Sequence, residues 1–249
     1  MSKEVLPQGR VQAPEQAQVS SLAQTRDKRV TGRTAVRNTL HGILTAHGRP
    51  SRKEAYNREA ALQEGLALEW ESSVGVELEG IVAQIRSLPG GITRLEAEIQ
   101  ARGGQLPGHT NLTRSKGIGG QSAAIFLAVI GDIGDFASAD KLARDCGSVP
   151  RVARSNQTAH LGAITKRGSK LGRTTLVQCT LGAKRYSPYL RRFYERVKRR
   201  RGSGKAIIAT ARKFLGVSYR TLKYRLGARG FPELCLSQTL KASWSRHSS

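Results

Sequence analysis

Basic residues surround a serine in the second half of the sequence. Arg151 and Arg154 precede Ser155, and Lys166 and Arg167 follow it. A serine hydroxyl is a weak nucleophile unless it is activated, and positioned cations favour its ionised form and stabilise a phosphoryl transition state. Ser155 is therefore a candidate nucleophile for attack on a phosphodiester. On residue types alone, a solvated basic loop whose serine only contacts a phosphate is the favoured interpretation.

A glycine-rich turn stands before an apolar run. Lys116-Gly117-Ile118-Gly119-Gly120 leads into the alanine-rich segment 122–130. A Gly-x-Gly turn that opens a helix presents free backbone N–H groups and the positive end of the helix dipole, which suit a phosphate. Helix-hairpin-helix DNA-binding modules use this arrangement, so Lys116, Gly117 and Gly119 are candidate DNA contacts. A simple tight turn explains the glycines equally well, and a nucleotide site is disfavoured because the GxGxxG pattern is incomplete.

A run of cations, residues 198–205, joins two amphipathic segments and includes Arg199, Arg200 and Lys205. Such a run is usually a solvated surface or an anchor for the phosphate backbone, which adds affinity without sequence preference. Arg212 lies on the helix that the apolar spacing predicts after this run. These residues are candidate backbone contacts, and further candidate DNA contacts are Arg151, Arg154, Lys166, Arg167 and Arg173.

Metal-binding and disulfide patterns are weak in this sequence. Asp132 and Asp135 lie close together, but two carboxylates without further ligands make a poor magnesium site, so a turn or helix-end role is favoured. The five histidines show no ligand spacing. The three cysteines are far apart and odd in number, which is typical of reduced structural thiols in a cytoplasmic protein. We expect no cofactor bound by this chain itself.

Charge divides the 249 residues into two parts. The formal net charge is +24, from 42 Lys and Arg against 18 Asp and Glu. Residues 1–110 hold 14 basic and 12 acidic residues, whereas residues 111–249 hold 28 and 6. A chain with this excess of basic residues usually binds a polyanion, most often nucleic acid. The aromatic content of 5% disfavours a site that stacks many unpaired bases. We predict a helical linker or coiled-coil region over 1–110 and a basic DNA-binding domain over 111–249.

Helical spacing dominates the apolar pattern, so all-α is the predicted fold class, with a long helical spacer before a compact helical domain. Helices are predicted over 14–46, ended by Gly48, and over 52–88, with a break at Pro89-Gly90-Gly91 and a short third helix after it. The apolar stripe of 52–88 is typical of a packing or coiled-coil seam. We expect a homo-oligomer through this stripe.

The second half is predicted to be helical as well. Ser138 and Ser187 fit helix N-caps, whereas residues 148–173 are rich in Arg, Ser and Gly, which favours a loop. No stretch approaches the roughly 20 apolar residues of a membrane span, and the N-terminus lacks the apolar core of a secretory signal. We therefore expect a cytoplasmic, nucleoid-associated protein without membrane contact.

An ordered series of motifs in the second half resembles the C-terminal transposase domain of the IS110-type insertion-sequence transposases. The family pattern is a GIG turn, a helix leading into GD, F, S and L, then G, P and a serine, and finally I-T-K, G, R and L. This sequence matches it at Gly117-Ile118-Gly119, Gly131-Asp132, Phe136, Ser138, Leu142, Gly147, Pro150, Ser155, Ile164-Thr165-Lys166, Gly168, Arg173 and Leu176. Weaker resemblance to helical regions of the family extends it over residues 15–226.

The resemblance implies a function in DNA transposition. Family members cut and join DNA, some under the direction of a structured guide RNA. They use a serine nucleophile in this domain and a carboxylate tetrad in an N-terminal nuclease-like domain. Ser155 falls at the position of the nucleophile, with Arg151, Arg154 and Lys166 at the positions of the cations around it. Magnesium is expected only with the carboxylate domain.

The sequence also departs from the family pattern. Lys116 replaces a usual proline, Ser148 a usual apolar residue and Asn156 the glycine after the serine. The nuclease-like domain is missing as well, so we expect an N-terminally truncated copy that does not complete transposition alone. Two alternative functions follow from the residues: a non-catalytic helix-hairpin-helix DNA-binding module, and a basic RNA-binding protein.

Overall fold

The computed structural model describes residues 12–49, 56–146, 150–155, 158–164 and 168–224. Eight α-helices and one two-stranded hairpin lie in these ranges, and the predicted helical class is confirmed. No helix in this part of the chain is long and apolar enough to cross a membrane. In chain order the elements are α1 Pro14–Ala46, α2 Glu59–Leu66, α3 Ser72–Gly103, α4 His109–Thr113, α5 Gly120–Ile130, α6 Ala139–Asp145, β1 Pro150–Ser155, β2 Thr158–Ile164, α7 Lys170–Tyr186 and α8 Pro188–Lys223.

Two compact units make up the chain. The N-terminal unit is Leu22–Glu98, and the C-terminal unit is Ile99–Ser249 together with Met1–Ser21. Both boundaries fall within long helices, α1 and α3. The predicted division at residue 110 rests on charge and stays a prediction.

The first helix, α1, spans the predicted residues and ends on a glycine. Gly48 has a φ of 72°, the N–H of Arg49 donates to the Leu44 carbonyl at 2.7 Å, and the N–H of Gly48 donates to the Thr45 carbonyl at 3.1 Å. These two bonds around a left-handed residue form a Schellman motif, which satisfies carbonyls that the last helical turn leaves open. The predicted role of Gly48 is therefore confirmed.

The helix predicted over 52–88 is two helices in the structure, so this prediction is wrong. Residues 67–71 separate α2 from α3, and the indole N–H of Trp70 donates to the Gly65 carbonyl at 2.9 Å. This bond fixes Trp70 against the end of α2, where backbone carbonyls lack helical donors. A side chain that helical spacing assigns to the apolar stripe thus also stabilises the turn between the two helices.

The helix break predicted at Pro89-Gly90-Gly91 is also wrong, because α3 continues through it. Proline in a helix interior removes one backbone hydrogen bond and costs about 3 kcal/mol. Ile85 and Ile92, on either side of Pro89, are 2% and 4% exposed. Burial of one such side chain stabilises by about 1.5–3 kcal/mol, so packing along this face outweighs the local preference of the Pro-Gly-Gly sequence.

The apolar stripe of α2 and α3 packs inside the N-terminal unit. Its buried residues form one core cluster with two leucines of α1. The cluster contains Leu40, Leu44, Tyr56, Leu62, Leu78, Val82 and Ile85, with Val36, Ile43, Leu66, Trp70, Val74 and Ile81 packed against it. The predicted packing seam therefore lies within one chain, and self-association through these helices would use other side chains.

The C-terminal unit is built around α5. Every residue from Ala123 to Ile130 is buried. Both α4 and α7 pack against α5, and α8 packs against α4, α6 and α7. A glycine allows the close approach of α7, because a Cβ at Gly172 would lie 2.6 Å from a methyl carbon of Val129. The alanine-rich run is therefore a core helix.

Serine caps begin three of the helices. Ser138 Oγ accepts the N–H of Lys141 at 3.3 Å, and Ser187 Oγ accepts the N–H of Leu190 at 3.3 Å. Ser169, which was not predicted, caps α7 in the same way. Side-chain acceptors at these positions satisfy N–H groups of the first helical turn. The two predicted N-caps are confirmed.

Residues 148–173, predicted to be a loop, contain a β-hairpin and the start of α7, so this prediction is wrong. The strands β1 and β2 pair antiparallel, with Val152 opposite Leu161 and Ser155 opposite Thr158. Two residues join the strands, which is a common hairpin connection. The sequence gives little indication of β1, because β-branched and aromatic residues are what predicts a strand. Val152 is the one residue of these types in β1.

The last helix, α8, folds back on itself at Gly202. This residue has a φ of 77° and a ψ of 167°, outside the helical region. The Lys213 ammonium lies 5.9 Å from the centre of the Tyr189 ring, whereas a straight helix would separate these residues by about 36 Å along its axis. The two halves of α8 therefore approach each other, and the bend between them is the basic run 198–205, called the basic tip below. The prediction that this run joins two helices is therefore confirmed.

Candidate nucleic-acid interface

The glycine turn opens α5 without a side-chain cap. Gly119 is the N-cap residue, with a φ of −77° and a ψ of 154°. The N–H of Ala123 donates to the Gly119 carbonyl at 3.0 Å and starts the helical hydrogen-bond pattern. The N–H groups of the first turn therefore have no helical acceptor, and they lie at the positive end of the helix dipole. A helix start of this kind suits a phosphate oxygen.

Within the same turn, Gly117 packs directly against α7. Its φ is 94°, and a Cβ at this residue would lie 2.5 Å from the carbonyl carbon and oxygen of Gly182. A side chain at Gly117 would force the two backbones apart. Gly117 therefore has a packing role that the sequence spacing does not reveal, whereas its predicted DNA contact stays a prediction.

His109 ties α4 to the start of α5. Its Nε2 lies 3.0 Å from the Gly120 carbonyl oxygen. Lys116 is exposed beside the turn. Within the described ranges, the Ser115 hydroxyl oxygen and the Gln121 amide nitrogen are buried without a hydrogen-bond partner. Buried polar groups are seldom left unpaired, so each such group needs an explanation, an additional partner among them. The turn thus combines an exposed cation with two unpaired polar atoms.

The β-hairpin carries the candidate nucleophile and two of the cations predicted around it. Arg151, Arg154 and Ser155 lie on β1, and Ser155 is its last residue, next to the two-residue connection. Lys166 and Arg167 lie outside the described residues. The backbone therefore brings the candidate serine and two candidate cations onto one strand, and the catalytic role of Ser155 stays a prediction.

Arg173 lies in the first turn of α7, where its backbone N–H donates to the Ser169 carbonyl at 3.1 Å. Its guanidinium Nη1 is buried and has no hydrogen-bond partner among the residues that the structure describes. A buried donor that lacks an acceptor is destabilising, and more so when it is charged. Nearby, Ser169 lines an open cleft together with Gln12 and Asp145. Among the predicted DNA contacts, Arg173 has a guanidinium donor that an added anion would satisfy.

Cations dominate α7 and α8. Residues 170–223 hold 16 Lys and Arg against one acid, Glu195. The predicted contacts Arg199, Arg200 and Lys205 are all exposed in the basic tip. A dense positive surface concentrates phosphates near it and binds them without sequence preference.

The predicted contact Arg212 has a partner inside the chain. Its Nη2 lies 3.3 Å from the Asp140 carboxylate of α6. On the same face of α8, the Lys223 ammonium donates to the Gly134 carbonyl at 3.2 Å. These two cations dock the second half of α8 onto its neighbours. The predicted DNA contact of Arg212 stays a prediction, and its ion pair would compete with it.

Aromatic rings among the cations of α7 and α8 were not singled out as functional from the sequence. The Lys184 ammonium lies 3.7 Å from the centre of the Tyr194 ring, and the Arg196 guanidinium carbon lies 5.3 Å from that of Phe193. Cations over ring faces are attracted by the ring quadrupole. The sequence contains one signal for these rings, which is their clustering. Three of the six tyrosines fall between residues 186 and 194, although the chain is poor in aromatic residues.

Among the described residues of the N-terminal unit, two arginines of α1 have a buried guanidinium nitrogen without a hydrogen-bond partner, whereas a third arginine is paired with an acid. Arg26 Nη2 lies 2.6 Å from the Glu96 carboxylate. The Nε atoms of Arg33 and Arg37, further along α1, are buried without a hydrogen-bond partner. Burial lowers the pKa of Arg37, and the neighbouring charge of Arg33 lowers it further. The near-neutral total of this unit therefore conceals a locally positive stretch of α1.

The two neighbouring aspartates serve a turn. Asp132 Oδ1 accepts the N–H of Gly134 at 2.7 Å and caps the 3-10 turn Ile133–Asp135. The turn role predicted for Asp132 is confirmed. Across the residues that the structure describes, no group of three or more His, Cys, Asp and Glu side chains could hold a metal ion. The described residues therefore do not fit a magnesium site.

Residues 109–195, from α4 to the first half of α8, match the family described as "Transposase IS116/IS110/IS902 family". This segment contains the glycine turn, the buried α5 and the hairpin that carries Ser155. It belongs to that transposase family. The IS110-type resemblance of the motif series is thereby confirmed.

Two curated relatives extend the similarity beyond this segment. A probable family 20 transposase of Pseudomonas aeruginosa is 31% identical over 174 residues, which are 67% of this chain and 51% of the relative. The transposase for insertion sequence element IS1111A of Coxiella burnetii is 28% identical over 232 residues, which are 86% of this chain and 62% of the relative. The chain thus spans between half and two thirds of the length of these two relatives.

Proposed function

We propose that this transposase-family chain binds DNA through its C-terminal unit and cuts and joins strands of an insertion sequence with Ser155 as the nucleophile. The observation that carries the proposal is the family match over residues 109–195, which includes Ser155 and the two arginines of the strand that it ends. The excess of cations on α7 and α8 supports a polyanionic partner.

The proposed step is a transesterification. Ser155 Oγ attacks the phosphorus of a DNA phosphodiester, the bond to one deoxyribose oxygen breaks, and that oxygen leaves with a proton as a free hydroxyl. The product is a phosphoserine ester, and attack by a hydroxyl of another strand reverses the step and joins the two strands. Arg151, Arg154 and Lys166 would stabilise the charge on the phosphoryl oxygens, which is where such catalysis acts most strongly.

The proposal is tested with DNA that carries the ends of the element. After incubation with the full chain, a denaturing gel should show a covalent protein–DNA adduct, and Ser155→Ala should abolish it. Ser203→Ala is the matched control, because Ser203 is an exposed serine in the basic tip and should leave the adduct unchanged. An adduct that persists in Ser155→Ala contradicts the assignment of the nucleophile.

Non-covalent binding is measured separately on the same DNA. If DNA is retained by the full chain but no adduct forms, the DNA partner stands and the serine chemistry is overturned. Absence of any DNA binding at low salt overturns the whole proposal, because the phosphate-dependent contribution is largest under those conditions.

The proposal further includes that the chain binds a structured guide RNA, associates with a second copy of itself and is associated with the nucleoid. Self-association would involve the exposed surface of residues 56–88, since the apolar stripe there is already packed against α1. Val76, 69% exposed on α3, is the candidate contact. Light scattering should report a mass above 27.1 kDa that Val76→Lys returns to that of one chain. Magnesium would be supplied with a carboxylate domain and not by the described residues.

A further inference from the structure

Tyr186 is an exposed aromatic residue at the corner between α7 and α8. It is the last residue of α7 and is 61% exposed. Aromatic side chains gain much from burial, and an exposed one with a polar tip is typical of binding surfaces. No acid occurs in α7, and the cations Lys184 and Arg185 come directly before the ring in the sequence.

A guanidinium is held at the same corner. Arg191 Nη2 donates to the carbonyl oxygen of Arg185, the residue before Tyr186. This carbonyl lies in the last turn of α7, where backbone acceptors lack helical donors and a cation is favoured by the helix dipole. The bond positions Arg191 beside the backbone of Tyr186. A guanidinium has five N–H donors, so others remain for an anion.

Two half-buried rings follow on α8. The Lys213 ammonium lies 5.9 Å from the centre of the Tyr189 ring and 5.5 Å from that of Phe193. The acid of this stretch, Glu195, has its carboxylate 4.0 Å from the Lys198 ammonium. The corner therefore combines rings and cations, with the charge of its nearest acid in sequence partly neutralised by a lysine.

We propose that this corner, named the Tyr186 site and made of Tyr186 and Arg191, binds an unpaired nucleotide of single-stranded nucleic acid. The base would stack on the Tyr186 ring, and the adjoining phosphate would pair with the Arg191 guanidinium. In a duplex the base faces are covered by neighbouring bases, so the ring contributes only to single strands. Aromatic stacking combined with a cationic groove is the usual physical basis of single-strand binding.

This inference rests on the proposed nucleic-acid function and adds a preference for an unpaired strand. The low aromatic content of the whole chain argues against a long stacking surface. One exposed ring with a fixed cation needs only one or two bases, and the rings are concentrated where the cations are. DNA and RNA both present this chemistry, so both are used in the test.

The test compares the full chain and three variants by fluorescence anisotropy. The probes are labelled oligodeoxythymidine, oligouridine and a DNA duplex. We expect Tyr186→Leu to weaken single-strand binding by about 5- to 150-fold and to change duplex binding less than about twofold. Tyr186→Phe retains the ring and should bind within about twofold of the wild type. The matched control is Tyr224→Leu, because Tyr224 is 67% exposed and the adjacent Lys223 ammonium already bonds to a backbone carbonyl.

Equal weakening of single-strand and duplex binding by Tyr186→Leu overturns the Tyr186 site, as does unchanged single-strand affinity. Circular dichroism of each variant verifies that the helices are retained. If Tyr186→Leu weakens the binding of only one of the two single-stranded probes, the Tyr186 site binds nucleotides of that type of nucleic acid, DNA or RNA. Duplex binding without a contribution from Tyr186 leaves the proposed function standing, whereas absence of binding to all three probes overturns the proposed function itself.

Discussion

The contact between Gly117 and Gly182 determines how closely the turn before α5 approaches α7. Both backbones meet where any Cβ at Gly117 would overlap a carbonyl group, and the positive φ of Gly117 disfavours other residues independently. Gly119, two residues later, has a φ of −77° and open space around it. Two glycines of one tripeptide therefore have different physical roles.

Replacement of each glycine separates these roles. Gly117→Ala should reduce the free energy of unfolding by about 2–6 kcal/mol, because left-handed strain and overpacking each cost about 1–3 kcal/mol. Gly119→Ala should reduce it by less than about 1 kcal/mol, the loss expected when an uncharged N-cap glycine is replaced. Urea unfolding followed by circular dichroism measures both. Equal losses would show that the Gly182 contact does not distinguish the two positions.

The buried thiol of Cys179 makes stability depend on alkaline pH. Burial raises the pKa of this thiol from 9.0 to about 12. In the unfolded chain the thiol ionises near its ordinary pKa, while in the folded chain it stays protonated. Its contribution is therefore complete below pH 9 and is lost as the pH rises towards 12.

Cys179→Ala removes this pH dependence. The variant should be less stable than the wild type at pH 8, because a buried side chain is shortened. The difference should shrink by about 2 kcal/mol at pH 10.5, since each pH unit between the two pKa values is worth about 1.4 kcal/mol. Urea unfolding at the two pH values provides the comparison. A difference that is the same at both values contradicts the raised pKa.

At the scale of elements, the bend of α8 depends on one glycine. Gly202 adopts a φ of 77°, whereas Gly204 lies within a helical segment with open space around its Cα. Gly202→Ala should lower stability by about 1–3 kcal/mol through left-handed strain. Gly204→Ala should raise it by about 0.5–1 kcal/mol, because alanine favours helix over glycine.

Unfolding of the two variants by guanidinium chloride measures these opposite effects. The two substitutions should change the free energy of unfolding in opposite directions. A stabilising effect of Gly202→Ala would mean that α8 is straight through the basic tip, and the approach of Lys213 to Tyr189 would then be lost as well.

Elements whose ends are set by local residues were predicted well from the sequence. The span of α1 follows from its apolar spacing and from Gly48, and the cap roles of Ser138 and Ser187 follow from hydroxyl acceptors at helix starts. The break predicted at Pro89 is wrong because the preference of proline is local, whereas the burial of Ile85 and Ile92 on either side of it depends on packing with other parts of the chain. Propensity yields to tertiary packing when the two conflict.

The candidate site was predicted as a set of residues and not as an arrangement. Motif order identified the turn and Ser155, but the packing of Gly117 on Gly182 joins two distant parts of the chain and has no local signal. The internal partner of Arg212 is likewise a carboxylate of another helix, Asp140. Spacing along one helix defines a face, whereas the neighbour of that face is decided by the fold.

Charge is the property that distinguishes the two units at the scale of the whole molecule. The N-terminal unit combines acids and bases, including the Arg26–Glu96 and Arg86–Glu59 pairs. In α7 and α8 the cations outnumber acids by 16 to one. At physiological salt the screening length is about 8 Å. Cations therefore act on a bound phosphate only from nearby, and position matters more than net charge.

The dependence of DNA affinity on salt tests this view. On a duplex, the slope of log affinity against log salt is negative, and its magnitude falls by about 0.9 for each phosphate contact removed. Arg199→Gln combined with Arg200→Gln in the basic tip should thus reduce the magnitude of the slope by about 2. Lys28→Gln combined with Arg94→Gln removes the same charge from exposed positions of the N-terminal unit and should leave the slope unchanged. Titrations of the full chain at several salt concentrations give both slopes. If the two double variants change the slope equally, total charge and not the basic tip controls the binding.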